Sequence, residues 1–242
     1  MQFYKADEPL LNRNVGRFLW DGLLRGDALL VIATAERRES LSTHLVRLGA
    51  DVPLLRRRRQ FALLDANETL RAFVVSGVPD WNRFEVTISH ALETLEPRGE
   101  DAGICAYGEL VGVLWQAGEY DAAILVEEFW NRLLHRSGIT LFCGYPIDVF
   151  ADEFQAERLH AVRHAHTHMI SAGADDELRR AIREGMNDVL GPEADNVRAL
   201  MGADPSTEAE GSILWLWQNL PHAAGGILAC ARERYNEAKR VA

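Results

Sequence analysis

Four short apolar runs, each separated from the next by stretches of helical periodicity, limit what this chain can fold into more than any other feature. ALLVIAT (Ala28 to Thr34), QFALLDA (Gln60 to Ala66), GICAYGEL (Gly103 to Leu110) and ITLFCGY (Ile139 to Tyr145) are continuously apolar rather than alternating. That is the signature of strands covered on both faces. The intervening segments, Glu8 to Arg25, Glu36 to Leu48, Glu68 to Val75, Trp81 to Leu95, Leu110 to Ala117 and Tyr120 to Arg136, carry helical spacing. Gly26-Asp27, Gly49 and the pair Pro97 and Gly99 supply stops, and Gly77 to Asp80 reads as a loop. A chain that returns to a parallel neighbour needs a crossover, and a helix provides it. The expected fold class is therefore α/β, a three-layer α/β/α sandwich with a mainly parallel sheet. Ligands in such sheets lie outside the carboxyl ends of the strands. This nominates Thr34, Asp65, Glu109 and Tyr145, with Cys143 in the last run.

Beyond a helix expected from Asp152 to Met169 and a linker at Ser171 to Asp176, no further strand is legible. Helices are expected over Glu177 to Leu190, Ala194 to Met201, Thr207 to Leu220 and Gly226 to Arg240. The chain thus divides into residues 1–170 and a helical extension, 171–242. In the third of these helices Ile213, Leu214, Trp215, Leu216, Trp217 and Leu220 leave no side suited to solvent. A homodimer through this extension is the expected solution, with folding back onto residues 1–170 of the same chain in a monomer as the alternative.

Composition removes several partner classes. A formal charge of −10 offers no basic face for nucleic acid, and Arg56 to Arg59 read as a solvated turn or helix end. No apolar run approaches the roughly 18 residues of a membrane span. The opening MQFYKADEPL lacks the cationic and apolar regions of a secretion signal, so a cytoplasmic location is expected. Cys105, Cys143 and Cys230 form no CxxC pair and read as reduced and buried.

With these segments placed, residues 3 to about 170 resemble the MEDS family, the methanogen, methylotroph and dichloromethane-regulator sensory domain. The resemblance rests on FYKADEPLL, FLWDGLLRGDALLVIAT, LLDANETLRAFVVSGVPD, YGELVGVLWQAGEYDAAILVEEFWNRL and LFCGYPIDVF, in that order. Departures occur at residues 109–112 (Glu-Leu-Val-Gly in place of a GEM-V-A run) and at Gly144 and Ile147 in the CysAlaTyrProMet position. Arg163 stands where a family Cys-x-x-His-Ser-His pattern has its cysteine, ahead of His166-Thr167-His168. The resemblance implies a RecA-like, P-loop-like core and a role in sensing small molecules, hydrocarbon-like ones among them.

The residues qualify that implication. A working phosphate loop needs glycines and a lysine after the first core strand. Here that turn reads Thr34-Ala35-Glu36-Arg37-Arg38, and the only lysines are Lys5 and Lys239. ATP hydrolysis is not expected, and no cofactor is implied. Arg37 is read either as an anion contact or, preferably, as part of a solvated helix start on which Glu36 complements the dipole. Asp65 reads first as the cap of the next helix with Glu68, Glu109 equally as a ligand acceptor or a cap. Trp115, Phe129 and Trp130 read as core, with a ring or two reaching a pocket. Glu109→Gln is accordingly expected to alter ligand response more than stability. On a helix His160, His164 and His168 would share one face, an alternative reading as a metal site.

The candidate ligand-binding set is Thr34, Glu36, Arg37, Asp65, Glu109, Trp115, Cys143 and Tyr145, and no catalytic residue is assigned. The reading that follows is a non-catalytic sensory module. It binds a small-molecule ligand and passes its state through association, through its tail or to a signalling protein. The alternatives are a metal-dependent enzyme using the histidines and a structural dimerisation protein with a vestigial pocket.

Overall fold

The computed structural model describes residues 2–3, 8–134, 138–145, 175–201 and 209–241. The chain divides into two compact units, one holding the described residues up to Tyr145 and the other residues 175–241.

The first unit is built on a parallel sheet. Its strands are β1 (Gln2–Phe3), β2 (Ala28–Ala33), β3 (Phe61–Asp65), β6 (Ile104–Gly108) and β7 (Ile139–Tyr145), in the spatial order β1-β7-β6-β2-β3. The helices are α1 (Glu8–Arg25), α2 (Ala35–Arg47), α3 (Val52–Arg57), α4 (Ala66–Phe73), α5 (Trp81–Glu93), α6 (Leu110–Gln116) and α7 (Tyr120–Leu134). The continuous apolar character of β2 has its cause in the layers on either side. Leu29, Val31 and Ala33 pack with Leu11, Val15 and Leu19 of α1 and Leu41 and Leu45 of α2. Leu30 and Ile32, on the opposite face, are equally buried. On that side α4, α5 and α7 supply Phe73, Phe84 and Trp130, with Phe84 edge-on to both other rings. The expected three-layer α/β/α sandwich is present.

Asp27 fixes how β2 enters the sheet. Gly26, at a φ of 90°, turns the chain out of α1, and Asp27 then accepts hydrogen bonds from the Gly103 amide, the Cys105 thiol and the Arg25 guanidinium. Burial alone would raise the Asp27 pKa. Those donors outweigh it and hold the carboxyl below its ordinary value.

Three local elements were not legible in advance. The short β1 pairs with Gly144 and Tyr145 at the sheet edge, and α3 is a single short helix capped by Asp51. The expected loop at Gly77 to Asp80 is part of a hairpin, β4 (Val74–Val75) against β5 (Val78–Pro79). Its two-residue turn, Ser76-Gly77, has positive φ at both positions, the twist that suits a tight antiparallel connection. Arg56 to Arg59 are exposed at the end of α3.

The second unit is helical: α8 (Asp175–Leu190), a 3-10 turn at Gly191–Glu193, α9 (Ala194–Met201), α10 (Ala209–Asn219) and α11 (Pro221–Val241). The last two residues of the expected linker thus open α8. Leu178, Ile182 and Met186 of α8 are buried, as are Ile227, Leu228 and Ala231 of α11. A Cβ on Gly185 would fall 2.5 Å from the Ile227 carbonyl oxygen, so this close approach of the two helices depends on glycine. On α10, Ile213 and Leu216 are buried, whereas Trp215 and Trp217 are half-buried. No helix among the described residues is long and apolar enough to cross a membrane.

Candidate functional site

The strand order decides where a ligand site is geometrically available. From β2 the chain steps outward to β3, then crosses back to place β6 on the other side of β2, followed by β7. The direction of winding therefore reverses between β2 and β6, and the loops leaving their carboxyl ends part to leave a crevice. Thr34 follows β2 and Glu109 follows β6, with Ile32 and Gly108 in register beside them. A cleft of about 250 Å³ opens here, lined by Asn12 of α1, Thr34, Glu36, Arg37 and Ser40, and Glu109, Gly112, Val113 and Gln116.

Its floor is a buried ion pair. Arg37 Nε donates to Glu109 Oε1 at 2.7 Å, and the two residues are only 7% and 3% exposed. The same Oε1 accepts from the Tyr107 hydroxyl at 2.9 Å. Oε2 accepts from the Thr34 amide at 2.9 Å and the Thr34 hydroxyl at 3.1 Å. A carboxylate offers about four lone-pair positions, and four donors occupy them. Arg37 also donates to Asn12 Oδ1 at 2.6 Å, so one guanidinium joins α1, α2 and the start of α6. Glu109 makes no side-chain cap to α6, and Thr34 makes none to α2. The carboxylate of Glu109 thus joins Glu36 of the first turn as a second negative charge at the start of α2, well placed against the helix dipole.

This corrects the reading of Arg37 as part of a solvated helix start. Glu36 is exposed as expected, but the next residue points inward because a glutamate 72 positions later compensates its charge.

Of the residues nominated from sequence, Thr34, Glu36, Arg37 and Glu109 meet in the cleft. Asp65 is engaged elsewhere: Oδ1 caps α4 through the Asn67 and Glu68 amides, and Oδ2 pairs with Arg38 at 2.7 Å. Trp115, Cys143 and Tyr145 belong to a separate cluster. The Trp115 ring lies edge-on to Tyr145 at 6.1 Å, and the Tyr145 hydroxyl donates to the buried Glu127 of α7. Burial, reinforced by the Glu127 carboxylate, pushes both the Cys143 thiol and the Tyr145 phenol well above their ordinary pKa values. Phe129 and Trp130 pack against Phe84 and do not line the cleft.

Asn12, Ser40, Gly112, Val113 and Gln116 were missed. Asn12 carried the one available signal, a polar side chain next to Leu11 and one turn before Val15 on an otherwise apolar stripe. His160, His164 and His168 lie outside the described residues. Among the described residues no group of three or more His, Cys, Asp or Glu could hold a metal ion.

Comparison with known families adds the decisive observation: residues 1–167 match the model of MEDS, the methanogen/methylotroph, DcmR sensory domain. The chain belongs to the MEDS family. The match spans the α/β unit, including the whole lining of the cleft, and stops before α8. No curated protein and no solved structure matches the chain. MEDS is a sensory domain family, and the cleft therefore lies within a domain of sensory type.

Proposed function

We propose that this protein is a non-catalytic sensor whose MEDS domain binds a small polar molecule in the cleft between α1, α2 and α6. The observation that carries this reading is the division of labour among the polar groups there. Glu109 and Arg37 are consumed in holding the walls together. Above them the Asn12 amide nitrogen, the Ser40 hydroxyl, the Gln116 amide and the Glu36 carboxylate have no hydrogen-bond partner among the described residues. Unspent donors and acceptors around a concave opening are what orient a guest. Because the large aromatic side chains pack elsewhere, the lining favours a hydrogen-bonding guest over a hydrocarbon-like one. The volume lies just under the roughly 300–1,000 Å³ usual for ligand pockets, which favours a small one.

Guest and walls would then be coupled, since Arg37 spans all three elements. A change at the cleft alters the relative placement of α1 and α2, and association with a second copy or a signalling protein is the readout we assign to it.

Native mass spectrometry of the full chain taken from its host tests the reading. A small-molecule adduct is expected on the wild type and is lost from Ser40→Leu, where a hydrogen-bonding wall becomes apolar. An adduct that survives this change unaltered places the ligand elsewhere. A wild type without adduct, whose melting temperature no small polar compound raises, favours the vestigial pocket instead.

A further inference from the structure

The ion pair under the cleft has a consequence for the charge of the guest, one that rests on the reading of the cleft as a binding site. Four donors converge on one point at the start of α2: the Thr34 amide, the Thr34 hydroxyl, Arg37 Nε and the Tyr107 hydroxyl. One of them is a buried cation. Presented to solvent, this cluster would be a seat for a carboxylate or phosphate, because each group donates and one of the donors is a guanidinium. In this chain the seat holds a carboxylate already. We propose that Glu109 is the specificity-determining residue of the cleft. It fills the anion seat from inside and so restricts the site to uncharged or cationic guests.

Two features of the geometry support this. First, every donor in the seat is spent on Glu109, so an incoming anion would find no group to bind it without expelling that side chain. Second, the lining carries one cation, Arg37, against two carboxylates, Glu36 and Glu109, and an anion entering it meets net repulsion. Because Glu109 itself lines the cleft, removing its carboxylate opens the seat to molecules arriving from solvent.

Chemical complementation is the test, and it needs no knowledge of the natural ligand. Melting of the full-length Glu109→Ala variant is compared in sodium acetate and sodium chloride at equal ionic strength, with acetamide as the uncharged analogue. Acetate is expected to raise the variant's melting temperature by several degrees in a saturable way, acetamide to leave it unchanged, and neither to move the wild type. The Arg37→Met/Glu109→Ala double variant, lacking the cation, should lose the response. Equal effects of acetate and acetamide, or none from acetate, overturn the inference. Should the variant be unfolded in chloride, recovery of its far-ultraviolet circular dichroism in acetate is the same readout with the same two outcomes.

A second arm uses the wild type alone, titrated with inorganic phosphate and with acetate while the Thr34 amide resonance is followed. No saturable shift is expected, and a saturable one overturns the inference. The two readings fail separately. An anionic native adduct would end the charge restriction and leave sensing intact, whereas acetate rescue in a protein without any adduct would do the reverse.

Discussion

The Arg37–Glu109 pair can be measured directly, and the expected result reverses what the sequence alone suggests for Glu109→Gln. Glutamine keeps the volume but can accept at only one end. Whichever way its amide points, one wall of the cleft loses acceptors that Glu109 provides at 2.7 to 3.1 Å. The Arg37 guanidinium, 7% exposed, loses the carboxylate paired to its Nε. Breaking one side of a buried pair typically costs about 3–5 kcal/mol, because the remaining charge stays desolvated. That is a large share of the ~5–15 kcal/mol that separates most domains from unfolding. Arg37→Met should cost a similar amount or somewhat less, since the Thr34 and Tyr107 donors still serve Glu109. The double change Arg37→Met/Glu109→Gln removes both charges together, and it should cost at least about 2 kcal/mol less than the sum of the singles. Urea unfolding of the full chain, followed by near-ultraviolet circular dichroism, provides the three values. If the single costs add to within about 0.5 kcal/mol, or if Glu109→Gln costs under about 1 kcal/mol as an exposed pair would, the pair is not the structural tie described here.

Two further outcomes are open to measurement. Burial, followed by the neighbouring Asp27, pushes the Cys105 thiol up to about 12 from an ordinary 9.0, and Cys143 is raised as well. Both should resist a thiol reagent at pH 8 while the half-buried Cys230 reacts, and two fast thiols would contradict this. The sign of the linkage is that of a raised pKa: the contribution of Cys105 to stability is complete below pH 9 and is lost as pH climbs toward 12. The half-buried Trp215 and Trp217 of α10 favour association of the helical unit, so the full chain should sediment as a dimer. A monomer throughout the micromolar range refutes that, and a chain ending at Ser171 that still dimerises moves the contact to the α/β unit.

Four of the five strands of the sheet were legible because their cause is local. A residue run such as ALLVIAT is continuous when both faces of its strand are covered, and the layers found on either side of β2 are that condition met. The hairpin at Val74–Pro79 escaped because its strands are two residues each, too short for any period to show, and its turn signal is one serine and one glycine. For β1 the reason is different: it exists as a strand only by pairing with β7, far along the chain. The cleft was half legible. Its position follows from strand ends, so Thr34 and Glu109 could be named, whereas Ser40 and Gln116 are ordinary polar helix residues until other segments are brought beside them.

Arg37 and Arg38 show where local reading stops. The two are adjacent, identical in type, and lie in the first turns of one helix, so nothing in their immediate sequence separates them. A helix turns about 100° per residue, however, and this sends the side chains to different neighbours. Arg38 leans toward β3 and pairs with Asp65 at 2.7 Å, with about a quarter of its side chain still exposed. Arg37 faces the crevice, where β6 delivers a glutamate at its carboxyl end, and it is buried. That glutamate offsets the cost of the second placement, because a buried guanidinium carries a desolvation penalty that a paired carboxylate repays. Position 109 thus supports the burial of position 37. The same carboxylate also fills the seat at the start of α2, and one side chain thereby supports the burial of Arg37, ties α2 to the start of α6, and carries the charge selectivity proposed for the cleft.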